Sequence, residues 1–208
     1  MISFSRSLLD WAFPPHCALC GAFGDSTPCD HCRNGFERLD APLRFLIPEV
    51  DAGLAIYAFC GVAGEAVRGL KFTRRTDLAI WMAEELRAGL DRSSLVADVA
   101  VPVPVHWLRR AERGFNQSEL LMERLALPRA DLALRRRRPT RAQARLDPAA
   151  RARNLTGAFV ASGVVGKRVL LVDDVVTSGH TARECARALR AAGAASVSLL
   201  AFAASHPD

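Results

Sequence analysis

Two adjacent carboxylates, Asp173 and Asp174, follow the apolar run VLLV and precede, within three residues, the sequence TSGHT. Ionised carboxylates accept hydrogen bonds and cannot donate them, so this pair suits ribose hydroxyls or a bound divalent cation rather than a phosphate. The turn that follows has the opposite preference. Gly179 permits a tight bend, and the N–H groups of Thr177, Ser178, Gly179, His180 and Thr181 can then converge on a phosphate. The hydroxyls of Thr177, Ser178 and Thr181 and the dipole of a following helix assist. A phosphate on one side and a diol on the other describe a phosphorylated ribose. The plainer alternative is a capped helix after a buried strand, with the acids simply exposed in a loop. Two acids directly after a buried run are electrostatically costly unless they are used, which favours the binding site.

A second constellation lies near the start of the chain. Cys17, Cys20, Cys29 and Cys32 form two CxxC pairs eight residues apart, a spacing that fits four thiolates around a tetrahedral zinc ion. His16 and His31 adjoin two of these cysteines and could replace one, although four thiolates suffice. A site closed by four ligands has no vacant position, so the metal is expected to be structural. Redox use of the CxxC pairs is the alternative; the thioredoxin-like βαβ pattern that would support it is missing here. Cys60 and Cys185 have apolar neighbours and read as core thiols.

The elements that must carry these groups follow from periodicity. Residues 1–50 hold both CxxC pairs, are rich in Pro and Gly, and lack sustained periodicity, so they read as a small separate module; residues 51–208 form the main domain. Leu54–Cys60 reads as a strand. Leu78, Met82, Leu86 and Leu90 recur every four residues, as one face of a helix. Asp98–Val105 is a strand stopped by its prolines, and a helix is expected from Gln117 to Ala126. A short strand is expected at Leu132–Leu134. Lys167–Asp174 is an apolar run of the length of a buried parallel strand. Thr181–Ala192 reads as a helix stopped by Gly193, and Ser196–Ala203 as a further strand. Strands alternating with helices predict an α/β fold with a parallel sheet flanked by helices. The acids and the turn then fall at the carboxyl edge of that sheet, where such folds bind ligands.

Composition narrows the partners. With 28 Lys and Arg against 22 Asp and Glu, the net charge of +6 favours anionic ligands: phosphorylated metabolites, pyrophosphate or nucleic acid. No apolar run approaches the roughly 20 residues of a membrane span, and the first residues carry Asp10 and two prolines where an export signal would be uninterrupted. A cytoplasmic protein is expected. Arg129–Arg153 holds nine arginines. This segment could close as a lid over an anion, track a nucleic-acid backbone, or form a solvated face. Phe159 is the sole aromatic residue between Phe115 and Phe202, so the interleaved aromatics of a single-strand groove are missing and the lid is favoured. Arg113 and Gln117 could stand at the cleft rim, while Asn116 could equally cap a helix.

Val169–Thr181 resembles the phosphoribosyl pyrophosphate signature of type I phosphoribosyltransferases, an apolar run, two acids and a TTG-like turn ending in Thr. The likeness extends to the blocks Gly69–Phe72 (GLKF), Pro102–Glu119 with its RGFNQ, and Arg141–Phe159, which together resemble the ComF family of competence proteins. Ser178 and His180 depart from the commoner Thr and Ala of the turn. This resemblance implies a cysteine-rich N-terminal module joined to a type I phosphoribosyltransferase-like domain. It implies binding of phosphoribosyl pyrophosphate or a nucleotide through Asp173, Asp174 and residues 177–181, with Lys71 and Arg113 as pyrophosphate contacts. It also implies Mg²⁺ accompanying the pyrophosphate. Transfer of the ribosyl 5-phosphate to an unidentified nitrogen acceptor is the expected reaction. A non-catalytic protein that senses the same ligand, or contacts single-stranded DNA or the DNA-uptake machinery, is the rival. Because only six residues follow Phe202, the N-terminal module is expected to act as a hood over the site.

Overall fold

Strands with long apolar runs that are buried on both faces, such as RVLLVDDVV and SVSLLAFAA, must be covered on each side, and helices before and after them supply the cover. The computed structural model describes residues 14–24, 27–39, 47–72, 76–137 and 157–205. After a short helix α1 (Asp30–Asn34), the chain runs β1 (Ala52–Ala58), α2 (Gly61–Phe72), α3 (Asp77–Arg92) and β2 (Val99–Pro102). Two short helices follow, α4 (Trp107–Arg113) and α5 (Gln117–Leu121), then the strands β3 (Leu134–Arg136) and β4 (Phe159–Ala161). The last elements are β5 (Arg168–Val176), α6 (His180–Ala191) and β6 (Ser196–Ala204). The main sheet has the order β1-β6-β5-β2 with every pair parallel, and β3 pairs with β4 in a separate antiparallel hairpin.

Alternation along the central strands divides the core into two layers. Leu170, Val172, Leu200 and Phe202 share one buried cluster with Leu70 of α2, Leu78, Met82 and Leu86 of α3, and Leu121 of α5. Val169, Leu171, Val197 and Leu199 belong to the other, with Cys185, Ala186 and Leu189 of α6 and Leu134 and Phe159 of the hairpin. Each of these wholly buried aliphatic side chains contributes about 1.5–3 kcal/mol by leaving water. Close packing also fixes Gly89 in α3, where an added Cβ would lie 2.2 Å from Ile56 Cδ1. Among the described residues no helix is long and apolar enough to cross a membrane.

The cysteine-rich segment is joined to this core by aromatic packing. Phe36 lies with its ring centroid 4.8 Å from that of Trp81 and 4.9 Å from that of Tyr57. Beside it, Leu39 N–H donates to Ile56 O and Ala58 N–H to Glu37 O, so residues 37–39 run along the free edge of β1. The opposite, N-terminal edge of the sheet is tied by ion pairs. Arg168 grips Asp98 (2.5 Å) at the feet of β5 and β2, and Arg190 pairs with Asp51, whose carboxylate also accepts the Val197 N–H.

Several elements differ from the sequence expectation. Helix α2 has buried Ala63, Ala66, Val67 and Leu70, spaced as a helical stripe that a search centred on larger side chains passes over. Helix α4 buries none of its residues, so no stripe announces it. Helix α5 stops at Leu121, not Ala126. Strand β3 is shifted to Leu134–Arg136, because Leu134 faces the core while Leu132 is exposed. Strand β1 starts at Ala52 and ends at Ala58, which leaves Cys60 exposed beyond it and donating to Glu37. Cys60 is therefore no core thiol; Cys185 is.

Candidate functional site

Strand β2 stops at Pro102, opposite Val172, whereas β5 continues past the acids to Val176 alongside β6. Where β2 has ended, a cleft of about 640 Å³ opens between Asp173, Asp174, Val175, Thr177 and Thr181 on one side and Val103–His106 with α4 on the other. The sequence expectation ended this strand at Asp174; it runs two residues further, so both acids are held by a ladder and not by a loop.

Asp174 is buried, and its Oδ1 lies 2.9 Å from Lys71 Nζ at the end of α2, while its Oδ2 has no partner. Asp173 Oδ1 accepts the Asp174 N–H (2.9 Å) and the Ser118 hydroxyl (3.4 Å). Burial, followed by the negative charge of Asp174, pushes the Asp173 carboxyl up to about 8 against the pull of Lys71. The turn after β5 bends at Gly179, whose φ of 70° suits glycine, directly before α6. Ile47 presses on it: a Cβ there would meet Ile47 Cγ1 at 3.0 Å. Thr177 and Thr181 line the cleft, Ser178 is exposed, and His180 begins α6 half-buried.

The other wall carries groups the sequence reading left out or placed only at the rim. His106, Arg109, Glu112, Arg113, Gln117, Ser118 and Arg136 all line the cleft. His106 Nδ1 accepts the Leu108 N–H, which leaves the proton of a neutral ring on Nε2, a buried atom with no partner. Burial lowers the His106 pKa, and the charges of Arg136 and Arg109 lower it further, so the neutral ring is favoured. Gln117 is 1% exposed and neither atom of its amide has a partner. Burial depresses both Arg113 and Arg136, and the nearby Arg109 charge adds to this in each case. An anion in the cleft would relieve that repulsion. Arg113 stacks over Phe72 at 5.2 Å, and Phe72 is 70% exposed. Asn116 takes the structural role: its Oδ1 accepts the Ser118 N–H at the start of α5, and its amide donates to Val103 O.

Arg136 and Phe159 are paired across the loop end of the β3–β4 hairpin, with the Arg136 guanidinium over the Phe159 ring at 5.6 Å. Between them, residues 138–156, which hold most of the expected arginine-rich lid, lie outside the described residues.

None of the four N-terminal cysteines lines the cleft; the Sγ atoms of Cys17, Cys20, Cys29 and Cys32 all lie within 4.8 Å of one another, with Cys17–Cys32 at 3.8 Å and Cys20–Cys29 at 3.7 Å. Four thiolates about 2.3 Å from a tetrahedral ion would be separated by about 3.8 Å, so the group could hold a metal ion. Burial raises the Cys17 thiol, but N–H groups of the sulfur knuckle, among them Leu19 and Cys29 at 3.4 Å, outweigh it and bring it to about 6. Burial and the other three sulfurs push Cys32 far up, a crowding that a cation would relieve. His16 and His31 are not in the cluster; the His16 ring instead lies near Pro14 O.

Residues 111–207 match the phosphoribosyl transferase domain. The chain is 34% identical over 193 residues to DNA utilization protein YhgH of Salmonella typhimurium, an alignment that covers 88% of this chain and 80% of that one. It is 36% identical to competence protein F of Haemophilus influenzae over 46% of this chain and 45% of the relative. Against competence protein ComFC of Streptococcus pneumoniae the identity is 32% over 61% and 54%. The alignments thus span about half the length of these last two relatives.

Proposed function

The chain belongs to the ComF family of competence and DNA-utilization proteins, which carry a phosphoribosyl transferase domain, and on that premise we propose that its cleft binds phosphoribosyl pyrophosphate and transfers the ribosyl 5-phosphate to a nitrogen acceptor. The observation that carries this reading is Asp174. A buried carboxylate with an unpartnered oxygen shares one cleft with the glycine turn at the head of α6 and with Arg109, Arg113 and Arg136. Buried polar atoms are rarely left unpaired without use, and ribose hydroxyls would satisfy this one.

In the proposed reaction the acceptor nitrogen forms a bond to C1′ as the C1′–O bond breaks, and pyrophosphate leaves with the electron pair. Asp173 and Asp174 would hold the ribose diol, and the backbone of residues 177–181 the 5-phosphate. Arg113 and Lys71 would face the pyrophosphate, with Mg²⁺ arriving on the substrate and neutralising it. The protein's contribution is positioning and preorganised charge. The arginine-rich segment would close over the cleft to exclude water.

We read residues 1–50 as the separate module and its four thiolates as a closed, structural zinc site. The reading includes a cytoplasmic location. Pyrophosphate release measured over a panel of nucleobases and amines tests the activity. Phosphoribosyl pyrophosphate binding without turnover for any acceptor would turn the assignment toward a sensor.

One observation favours a second reading, contact with single-stranded DNA during its uptake or use. Phe72 lies under the Arg113 guanidinium, and Trp107 (65% exposed) begins α4 two residues before Arg109; aromatic faces beside cations stack bases. A salt-independent affinity for an oligonucleotide, or none at all, would count against it.

A further inference from the structure

We infer that without a ligand Lys71 holds the place of a divalent cation, so that the acidic pair accepts such a cation only together with a phosphoanhydride that draws Lys71 away. The inference deepens the proposed function and rests on its reading that a pyrophosphate-bearing ligand enters this cleft.

The Asp174 side chain is 6% exposed; Oδ1 is held by the Lys71 ammonium at 2.9 Å, and Oδ2, also buried, has no partner. Asp173 stands next to it on the same strand, and both line the cleft. Asp174, with one unpartnered oxygen, and the adjacent Asp173 carboxyl, whose proton a cation would displace, offer the oxygen ligands that such an ion needs. In the structure the positive charge at that point is supplied by the chain itself.

The ammonium's position makes it removable. Lys71 is the penultimate residue of α2, and its side chain keeps 22% of its surface in solvent, far more than its partner does. The next residue, Phe72, lies beneath the Arg113 guanidinium, so the end of α2 sits between the two walls of the cleft. An anion that reaches Arg113 would therefore also be within the range of a flexible four-carbon side chain. Once Lys71 turns to that anion, Asp174 is left with both oxygens vacant, and a cation carried by the anion can take the place of the ammonium. Without the anion, a cation at Asp174 must sit beside an ammonium of like charge, and binding is opposed. The ligand class follows: a phosphoanhydride carried as its divalent-cation complex, in preference to either component alone.

The test uses Mn²⁺ as a paramagnetic probe on the full chain, with inorganic pyrophosphate as the anion. Wild type should bind Mn²⁺ at least tenfold more weakly alone than in the presence of pyrophosphate, beyond what Mn²⁺ binding by pyrophosphate itself accounts for. Lys71→Met should bind Mn²⁺ alone at least tenfold more tightly than wild type, whereas Lys71→Arg, which keeps the charge, should not. Lys71→Gln, which keeps a hydrogen-bond donor to Asp174, serves if the methionine variant fails to fold. Adding Asp174→Asn to either neutral variant should abolish the gain and so locate the ion. If neither neutral variant binds Mn²⁺ more tightly than wild type, the inference is overturned. The arm with Mn²⁺ alone contains no phosphoribosyl ligand, so a failure of phosphoribosyl pyrophosphate to bind would remove the proposed function and leave the ammonium's role standing.

Discussion

Ile47 packs against Gly179, so closely that a Cβ on the glycine would lie 3.0 Å from Ile47 Cγ1 and 3.1 Å from Cδ1. The residue joins the turn before α6 to a segment 132 positions earlier in the chain. Gly179→Ala must therefore both hold an unfavourable positive φ, at roughly 1 kcal/mol, and displace a buried side chain. The expected outcome is a fall of at least tenfold in phosphoribosyl pyrophosphate affinity by calorimetry, with a melting temperature lowered by a few degrees. Unchanged affinity would remove the turn from the site.

Replacing both acids, Asp173→Ala with Asp174→Ala, should abolish phosphoribosyl pyrophosphate binding while circular dichroism stays that of the folded chain. The Lys71 ammonium loses its partner in this variant but can turn to solvent. Retained affinity would show that the diol is held elsewhere.

Gln117 offers a separation of binding from stability. Its buried amide has no partner in the chain, so Gln117→Leu removes two unsatisfied atoms at nearly constant volume and should leave stability level or raise it by about 1 kcal/mol. If the amide faces the ligand, affinity should drop tenfold or more. A large loss of stability would mean that the amide is satisfied within the fold, through water.

The raised Asp173 carboxyl predicts how stability depends on pH. In the unfolded chain this group ionises near ~4, and in the fold near 8. A group whose folded value is raised stabilises the fold fully only below the unfolded value, and that contribution is lost as pH climbs through the folded one. Asp173→Asn has no such term. Its melting temperature relative to wild type should therefore rise between pH 4 and 8 and level off above, by on the order of 10 °C in all. Parallel curves at pH 5 and pH 9 would refute the shift.

Metal analysis of protein purified under reducing conditions should find about one zinc per chain, and less than half an equivalent would count against the four-thiolate site. Chelation should also move the fluorescence of Trp81, because Phe36, four residues beyond Cys32, packs on its ring.

The acidic pair, the turn and the four cysteines were legible in the sequence because each is local: a few adjacent residues state the chemistry and its geometry together. The parallel α/β architecture was legible for the same reason, from unbroken apolar runs separated by helical spacing. His106 and Arg109 were not, since only tertiary packing brings them to the acids, and Arg136 was visible only as one of nine arginines in the expected lid. Helix α4 gave no signal because it buries nothing. Gln117 illustrates the limit best. Its residue type was visible, but that both atoms of its amide go unpaired is a property of packing and not of sequence. Cys60 misled for the converse reason, as apolar neighbours in the chain turned out not to be its neighbours in space.

The ion pairs Asp98–Arg168 and Asp51–Arg190 fasten the end of the sheet remote from the cleft. That division makes the molecule convenient to handle. A dye, a surface tether or a fused partner attached near that end would leave the mouth unobstructed, so ligand capture could be followed on immobilised single molecules without touching a residue that meets the ligand.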